Sequence, residues 1–311
     1  MPDVCVIGHR GFIGQSILRI ATEQALPIAP MDIPQVRTSD AADSRSFEVE
    51  QPTDWAKGNA QAFHTLVEGF SSFSTVINAA GRAEPDSTKW TDLAAGNSLL
   101  PGVVALAARE ARVERLVHIS SAAVLGSTPI FHDESPAKPV TLYGVSKATG
   151  EAMALAACRP GFEVVIYRPT SVVAPDRKTI KRLARLARHY LPTASIDAPL
   201  PLCHIDNVAS AAIWLSTNSI TTRYVAHPHE GVTVGDLIEW AGGKPIILPN
   251  ALAETISWIV GANWMPSGLQ GVARRVDLLV RGQSSEARIL QESGYRPSRS
   301  KEAIERIFRD A

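Results

Sequence analysis

Asp3-Val4-Cys5-Val6-Ile7-Gly8-His9-Arg10-Gly11-Phe12-Ile13-Gly14 decides the fold of this 311-residue chain. Residues 3–7 form a short apolar run of strand character. Gln15 to Ala25 follows the glycines with apolar residues at Ile17, Leu18, Ile20 and Ala21, the spacing of one helical face. Strand, glycine turn and helix in that order are the context in which a glycine motif carries meaning. Glycines let the backbone approach a pyrophosphate, and the helix amino terminus directs unpaired N–H groups at the anion. The alternative is a tight strand-to-helix turn that binds nothing.

Strand and helix patterns alternate to about residue 168, which predicts a parallel sheet covered on both faces. Ser74-Thr75-Val76-Ile77, Arg115-Leu116-Val117-His118-Ile119 and Val164-Val165-Ile166-Tyr167 read as buried strands, with His118 a core residue. Tyr143 and Lys147 stand four residues apart, so on a helix they share a face, with roughly 5–6 Å between Cβ atoms. A phenol and an ammonium so placed suit proton transfer at a carbonyl or alcohol. Moving a tyrosine from a pKa of ~10 to near 7 takes about 4 kcal/mol. One screened ammonium supplies on the order of 1 kcal/mol. The pair therefore implies a second hydrogen bond and another positive charge, which an oxidised nicotinamide ring would provide. Taken alone, Tyr-x-x-x-Lys also occurs by chance on exposed helices.

The spacing Gly8-x-x-Gly11-x-x-Gly14 resembles the short-chain dehydrogenase/reductase superfamily, and Gly11-Phe12-Ile13-Gly14 resembles its extended branch of nucleotide-sugar epimerases, dehydratases and reductases. Later residues arrive in that family's order: Asn78-Ala79-Ala80-Gly81, Asn97, Ser120-Ser121-Ala122-Ala123-Val124-Leu125-Gly126, Tyr143, Lys147, Glu151 and Arg168-Pro169. The resemblance implies a Rossmann-type doubly wound parallel α/β sheet with a smaller α/β carboxyl-terminal substrate domain. It assigns 1–169 and 200–228 to dinucleotide binding, and 170–199 and 229–311 to an interleaved substrate domain.

By the same match, Ser121, Tyr143 and Lys147 are the catalytic set, and Leu125 departs from the family's tyrosine. Gly8, Arg10, Gly11, Phe12, Ile13, Gly14, Ala79, Ala80, Gly81, Asn97 and Pro169 fall at cofactor positions, as do Tyr143 and Lys147. Arg82, Ser121, Ala122, Ser171, Arg182 and His204 are expected substrate contacts, although a strand-end histidine is also a common structural residue. Ala122 and Ala123 stand where the family's 4,6-dehydratases carry Asp-Glu, and alanine transfers no proton.

Asp32 lies 18 positions beyond Gly14, near the ~20 expected of a carboxylate that accepts the adenosine ribose hydroxyls. That favours NAD. Arg10 and Arg37 point to NADP, because Gly8-His9-Arg10-Gly11 resembles the NADPH-dependent epimerase-reductases that make GDP-fucose. Both arginines are otherwise ordinary surface residues. The expected cofactor is NAD, with NADP open. Residues 178–207 and 248–277 resemble enzymes acting on UDP-linked acetamido sugars. The resemblance thus implies hydride transfer at carbon 4 of a nucleotide-linked sugar, first as a UDP-sugar 4-epimerase. An NADPH-dependent 4-ketoreductase, a reductase of a non-sugar ketone and a non-catalytic NAD(P)-binding protein are the alternatives.

Composition agrees with a soluble enzyme: 45% apolar, 20% charged, and 31 basic against 31 acidic residues, so no net field recruits nucleic acid. Cys5, Cys158 and Cys203 show neither disulfide nor zinc spacing, which suits a reducing cytoplasm. No leader and no apolar run of ~18 residues is seen, so a cytoplasmic location without a membrane span is expected. Arg177, Lys178, Lys181, Arg182, Arg185 and Arg188 make a basic helix surface ending at Tyr190. It is a solvated face, a pyrophosphate clamp or a stripe that meets an acidic membrane. Asp206 is expected to cap the helix Asn207 to Leu215. Trp258 and Trp264 are expected to pack in the carboxyl-terminal domain or cover the substrate. Ala105, Leu106, Ala108, Ala152, Met153, Leu155 and Ala156 are small or apolar enough for the helix-pair homodimer common in the family.

Overall fold

The computed structural model describes residues 3–38, 47–87, 89–175, 177–220, 222–260 and 267–310. Its strands are β1 (Val4–Ile7), β2 (Ile28–Met31), β3 (Thr75–Asn78), β4 (Arg115–Ile119), β5 (Ile130–His132), β6 (Glu163–Arg168), β7 (Ser171–Val173), β8 (Tyr190–Thr193), β9 (Leu202–His204), β10 (Tyr224–Ala226), β11 (Lys244–Ile247) and β12 (Ser284–Glu286). Its helices are α1 (Phe12–Glu23), α2 (Pro52–Gly58), α3 (Ala60–Phe70), α4 (Trp90–Leu93), α5 (Leu100–Glu110), α6 (Leu142–Leu155), α7 (Lys178–Ala187), α8 (Ile205–Thr217), α9 (Val234–Ala241), α10 (Asn250–Val260), α11 (Ser267–Arg281), α12 (Arg288–Glu292) and α13 (Lys301–Arg309).

The main sheet runs β10-β6-β4-β3-β1-β2 with every pair parallel. Strand order reverses at β1, which has β2 on one side and β3 on the other. The carboxyl ends of β1 and β3 therefore open a crevice, the place where such sheets receive a ligand. Alternate residues of each strand serve opposite faces. Val4, Val6, Ile77, Val117 and Tyr167 pack with α1 and α8, whereas Cys5, Ile7, Val76, Leu116 and Ile166 pack with α3, α5 and α6. Burial on both sides is why these strands read as continuous apolar runs. A third core, including Val173, Ile180, Leu191, Leu200, Leu237 and Phe308, gathers α7, α9 and α13 beside the ribbons β8-β11 and β7-β9. The chain crosses between cores at β7, where Val172 faces the first and Val173 the third.

Several local expectations change. The helix expected from Asn97 begins with a π-helical turn, Ala94–Leu99, so Asn97 lies inside a widened turn before α5. His204, not Asp206, caps α8: its Nδ1 accepts the Asp206 N–H at 3.1 Å. Asp206 sits in the first turn and accepts from Ser16 at 2.9 Å, from Arg299 at 2.8 Å and from Arg19. A carboxylate answered by two guanidinium groups joins α1, α8 and the carboxyl-terminal segment, a larger task than capping. Tyr190 leaves the basic helix and begins β8. The helical run Trp90–Glu110 is long and apolar enough by composition to cross a membrane, an exception to the expected absence of such a segment. It is a core element, with 78% of its apolar window buried in the protein. Ala105 and Ala108, expected at a contact between copies, are already buried within the single chain, while Ala152 on α6 and Ala156 just beyond it stay exposed.

Glu151 fixes α6 against the sheet. It takes the Arg168 guanidinium with two prongs, Nε to Oε1 at 3.0 Å and Nη2 to Oε2 at 2.7 Å, and accepts from Ser120 Oγ at 2.5 Å. Both members of the pair are buried. Arg168 is completed by the Ser135 carbonyl at 2.7 Å and by the Tyr224 ring, 4.2 Å from its centroid. Because removal of one partner strands a buried charge, Glu151→Ala is expected to lower the unfolding free energy by about 3–5 kcal/mol. Denaturant melts of the two proteins check this.

Candidate active site

The crevice is shaped first by residues that lack a Cβ. Gly8 has φ +74°, and a Cβ there would lie 2.4 Å from the Ala80 nitrogen; one at Gly14 would lie 2.4 Å from the Gly8 carbonyl oxygen. Gly11 precedes α1 without a side-chain cap, so the first N–H groups of the helix remain for a ligand. Gly11, Phe12 and Ile13 line the cleft on this side. On the other, Asn78 Oδ1 accepts the Ala80 N–H at 3.0 Å and shapes the turn through which Ala79, Ala80 and Gly81 reach the cleft. Arg10 and Asp32, read from the sequence as pointing to different cofactors, form one exposed ion pair at 2.8 Å. Arg37 instead donates to Gln35 at 2.8 Å. A turn closed to any Cβ, an uncapped helix start and a charged pair beyond β2 fit a dinucleotide.

Asn97 positions the far end of that wall. Its Oδ1 accepts the Arg82 N–H at 2.8 Å, and its Nδ2 donates to the Arg82 carbonyl at 3.1 Å and to Ser146 Oγ at 3.2 Å. The loop after β3 is thereby tied to α6. Arg82 itself pairs with Glu84 at 3.0 Å on the cleft rim.

Helix α6 opens with Thr141, whose Oγ1 accepts the Gly144 N–H at 3.0 Å, so Tyr143 lies in the first turn. Tyr143, Lys147 and Glu151 follow at four-residue spacing on one face. Ser121 caps the short 3-10 turn Ala122–Leu125 by accepting the Ala123 N–H at 3.2 Å, and it lines the cleft together with Tyr143. Burial pushes the Tyr143 phenol above its ordinary range, while the Ser121 hydroxyl and the Arg177 charge pull it down. Lys147 is buried and donates to the Ile119 carbonyl at 3.3 Å. Burial lowers its pKa to about 8, against the opposing pull of Glu151.

Ser121 and Arg177 thus act in the direction the tyrosine needs, although burial outweighs them and leaves the phenol above its ordinary range. Arg177 is held by the Val172 carbonyl at 2.7 Å, and its guanidinium lies 4.4 Å over the Phe12 ring, in the cleft wall. In the sequence it belongs to the basic stripe, and no local signal links it to Tyr143. His118, on β4, is fully buried with both ring nitrogens unpartnered; burial first, then the Lys147 charge, holds it neutral. Cys5 is likewise an inert buried thiol, with its pKa pushed up to about 12.

The cleft as a whole encloses about 450 Å³ and continues past Tyr143 to the carboxyl-terminal segments. Ile180, Leu183, Leu200, Leu202, Leu278 and Leu279 make much of its wall apolar. Its charged residues include Asp86, Arg182, Arg274 and Arg275. Asp86 accepts from Arg275 at 2.5 Å and lies 3.8 Å from Arg182. Arg274 donates to the Gly126 carbonyl and to Gln283 at 3.1 Å, with burial lowering its pKa to about 10.

Of the expected substrate contacts, Arg82, Ser121, Ala122, Ser171 and Arg182 line this cleft, together with Gly11, Phe12, Ile13, Ala79, Ala80, Gly81, Tyr143, Lys147 and Pro169 of the cofactor set. His204 does not line it, because its ring is used as the cap of α8. Asp86, Arg274 and Arg275 escaped sequence reading as site residues, since nothing in a loop acid or a helical arginine pair marks a distant cleft. Trp258 is exposed instead of packed, and Trp264 lies outside the described residues. Among the described residues no group of three or more side chains could hold a metal ion.

Comparison with known proteins follows this geometry. The NAD dependent epimerase/dehydratase family matches residues 4–225. A 4-hydroxy-2-methyl-3-oxo-4-farnesyl-3,4-dihydroquinoline-1-oxide ketoreductase of Stigmatella aurantiaca is 30% identical over 176 residues, 55% of this chain. That match spans only half of the relative's length. A putative dihydroflavonol 4-reductase of Synechocystis is 27% identical over 278 residues, covering 82% of this chain and 77% of that one. The structure of Thermus thermophilus UDP-glucose 4-epimerase in complex with NAD superposes with a TM-score of 0.62 at 19% identity, covering 99% and 97% of the two chains, a likeness of fold.

Two outcomes are expected for Tyr143 and Lys147. Tyr143→Phe is expected to cut turnover by about 100-fold or more, the scale of a positioned general acid–base, with cofactor affinity nearly unchanged; steady-state rates and cofactor titration check it. Between pH of about 8 and 10.5 the folded protein has released the Lys147 proton that the unfolded chain still holds. Its unfolding free energy therefore gains a component that rises with pH across that window. Denaturant midpoints of the wild type should climb relative to those of Lys147→Met.

Proposed function

Because the chain belongs to the NAD-dependent epimerase/dehydratase family, we propose that its cleft transfers hydride at carbon 4 of a nucleotide-linked sugar, first as a UDP-sugar 4-epimerase. The observation that carries this is the convergence of Ser121, Tyr143 and Lys147 on one cleft that a glycine turn lines at one end and arginines at the other. An NAD(P) bound along the crevice would supply the hydride acceptor and donor.

This chain's residues do the rest. The backbone N–H groups at the start of α1 hold the pyrophosphate. Tyr143 removes the proton of the reacting hydroxyl and returns it to the ketone oxygen, which Ser121 keeps in place by hydrogen bonding. The Arg177 charge favours the phenolate that this exchange requires, and buried Lys147 offers its remaining donors on the same side. Apolar walls exclude water that would weaken those interactions. Arg182 and Arg275 converge on Asp86, and a diphosphate can replace that carboxylate with charge-assisted bonds of its own. Ala122 and Ala123 leave no acid–base pair for dehydration beside the reacting carbon. Hydride returned to the opposite face gives the epimer, while hydride from exchanged NAD(P)H gives a reduced sugar from a 4-ketone.

The leucine-rich wall favours a second reading, a reductase of a bulky non-sugar ketone, and both curated relatives carry reductase names of that kind. Calorimetry with UDP separates the two. UDP binding that Arg275→Ala weakens by about tenfold or more, the scale of one charged hydrogen bond, with NAD binding unaffected, is expected of the sugar enzyme. Absence of UDP binding together with NAD(P)H-dependent reduction of an apolar ketone would assign the second reading. Identification of nucleotides released on denaturing the purified protein distinguishes retained NAD, expected of an epimerase, from an exchangeable NADPH site.

A further inference from the structure

Helix α10 turns its large apolar side chains outward. Trp258 is 74% exposed, with Leu252 and Ile259 exposed beside it, whereas Ala253 and Ser257 face the protein and Ser257 donates to Asp277 of α11 at 2.6 Å. A helix folded onto a core does the reverse. Its neighbours continue the pattern. β11 is exposed along its whole length, Ile247 to 57%, and Tyr190 of β8, paired with Lys244 of β11, is 67% exposed. α7 runs into β8 and carries Leu186, 56% exposed, between exposed Arg185 and Arg188. From Arg177 to Tyr190 the sequence holds six lysines and arginines and no acid; Arg177 and Arg182 serve the cleft, and Arg185 and Arg188 are exposed beside Leu186. α10 packs on α11 and α11 on β8, so these elements form one neighbourhood. Leu186 and Val272 are exposed and also line the main cavity, so the surface reaches the mouth of the cleft.

We propose that this face docks the protein on an anionic bilayer surface, with the mouth of the cleft at the membrane. Trp258, Tyr190, Leu252 and Ile247 suit the headgroup level, where aromatic and aliphatic side chains lose contact with water. Arg185, Arg188 and Lys244 meet the lipid phosphates, an attraction that falls off within a Debye length. A second copy is the poorer occupant, since a two-fold contact through this face would bring two acid-free α7 stretches toward each other. The docking does not depend on which substrate the cleft takes.

Flotation of the intact chain with vesicles tests it, using phosphatidylcholine alone and phosphatidylcholine mixed with phosphatidylglycerol at low salt. Binding to the anionic vesicles only, lost at high salt, is the expected result. Arg185→Glu combined with Arg188→Glu should lower the partition by about tenfold or more. Leu252→Ser combined with Trp258→Ser should lower it too. Both variants should melt at the wild-type temperature because the replaced side chains are exposed; Trp258→Ser alone serves if a double variant melts early. No flotation with anionic vesicles overturns the proposal. So does a concentration-dependent dimer, read by light scattering, that Leu252→Ser with Trp258→Ser abolishes.

Discussion

The buried pair of Glu151 and Arg168 is the constraint on which the site depends. Glu151 stands one helical turn beyond Lys147 and two beyond Tyr143, while its partners are the immediate neighbours of Ser121 and Pro169 in the chain. One carboxylate therefore holds the helix with the phenol and amine against the strand ends with the hydroxyl and the cleft floor. A charge pair removed from water is costly unless each hydrogen bond is made. Here the Ser120 hydroxyl, the Ser135 carbonyl and the Tyr224 ring complete it.

Burial works against both members of the Tyr-x-x-x-Lys motif. It raises the phenol and lowers the ammonium, the wrong direction for each if the motif were left to itself. Opposing groups are a hydroxyl from the loop after β4 and a guanidinium from just before α7 for Tyr143, and Glu151, one turn along the same helix, for Lys147. The pair thus depends on three segments, and a helix carrying the same two residues in water would lack their chemistry.

The cleft beyond the pair joins two kinds of recognition. Leucine side chains from α7, α11 and the segment before β9 supply apolar area, and three arginines with Asp86 supply fixed charge. A ligand with a charged linker and a compact reacting group uses both, which is the chemistry of a nucleotide-linked sugar. The same subdomain exposes apolar side chains on its outer face, where α10 has no protein neighbour over Trp258 among the described residues.

Period and spacing determined the parallel-sheet half of this protein in advance. Apolar strands, the glycine turn and the four-residue step from Tyr143 to Lys147 are local signals, since each arises from backbone geometry within a few residues. A parallel sheet covered on both faces follows from them, because βα units bury both faces, while its strand order is set by the tertiary structure. Contacts between distant segments were not legible. His204 took the cap from Asp206 because Asp206 was drawn to Arg19 and Arg299, residues 187 and 93 positions away. Arg177 left the basic stripe for the tyrosine, and Asp86 gathered Arg182 and Arg275, because charges choose partners by distance in space. Those choices, and with them the electrostatics of the active site, exist only once the chain has closed on itself.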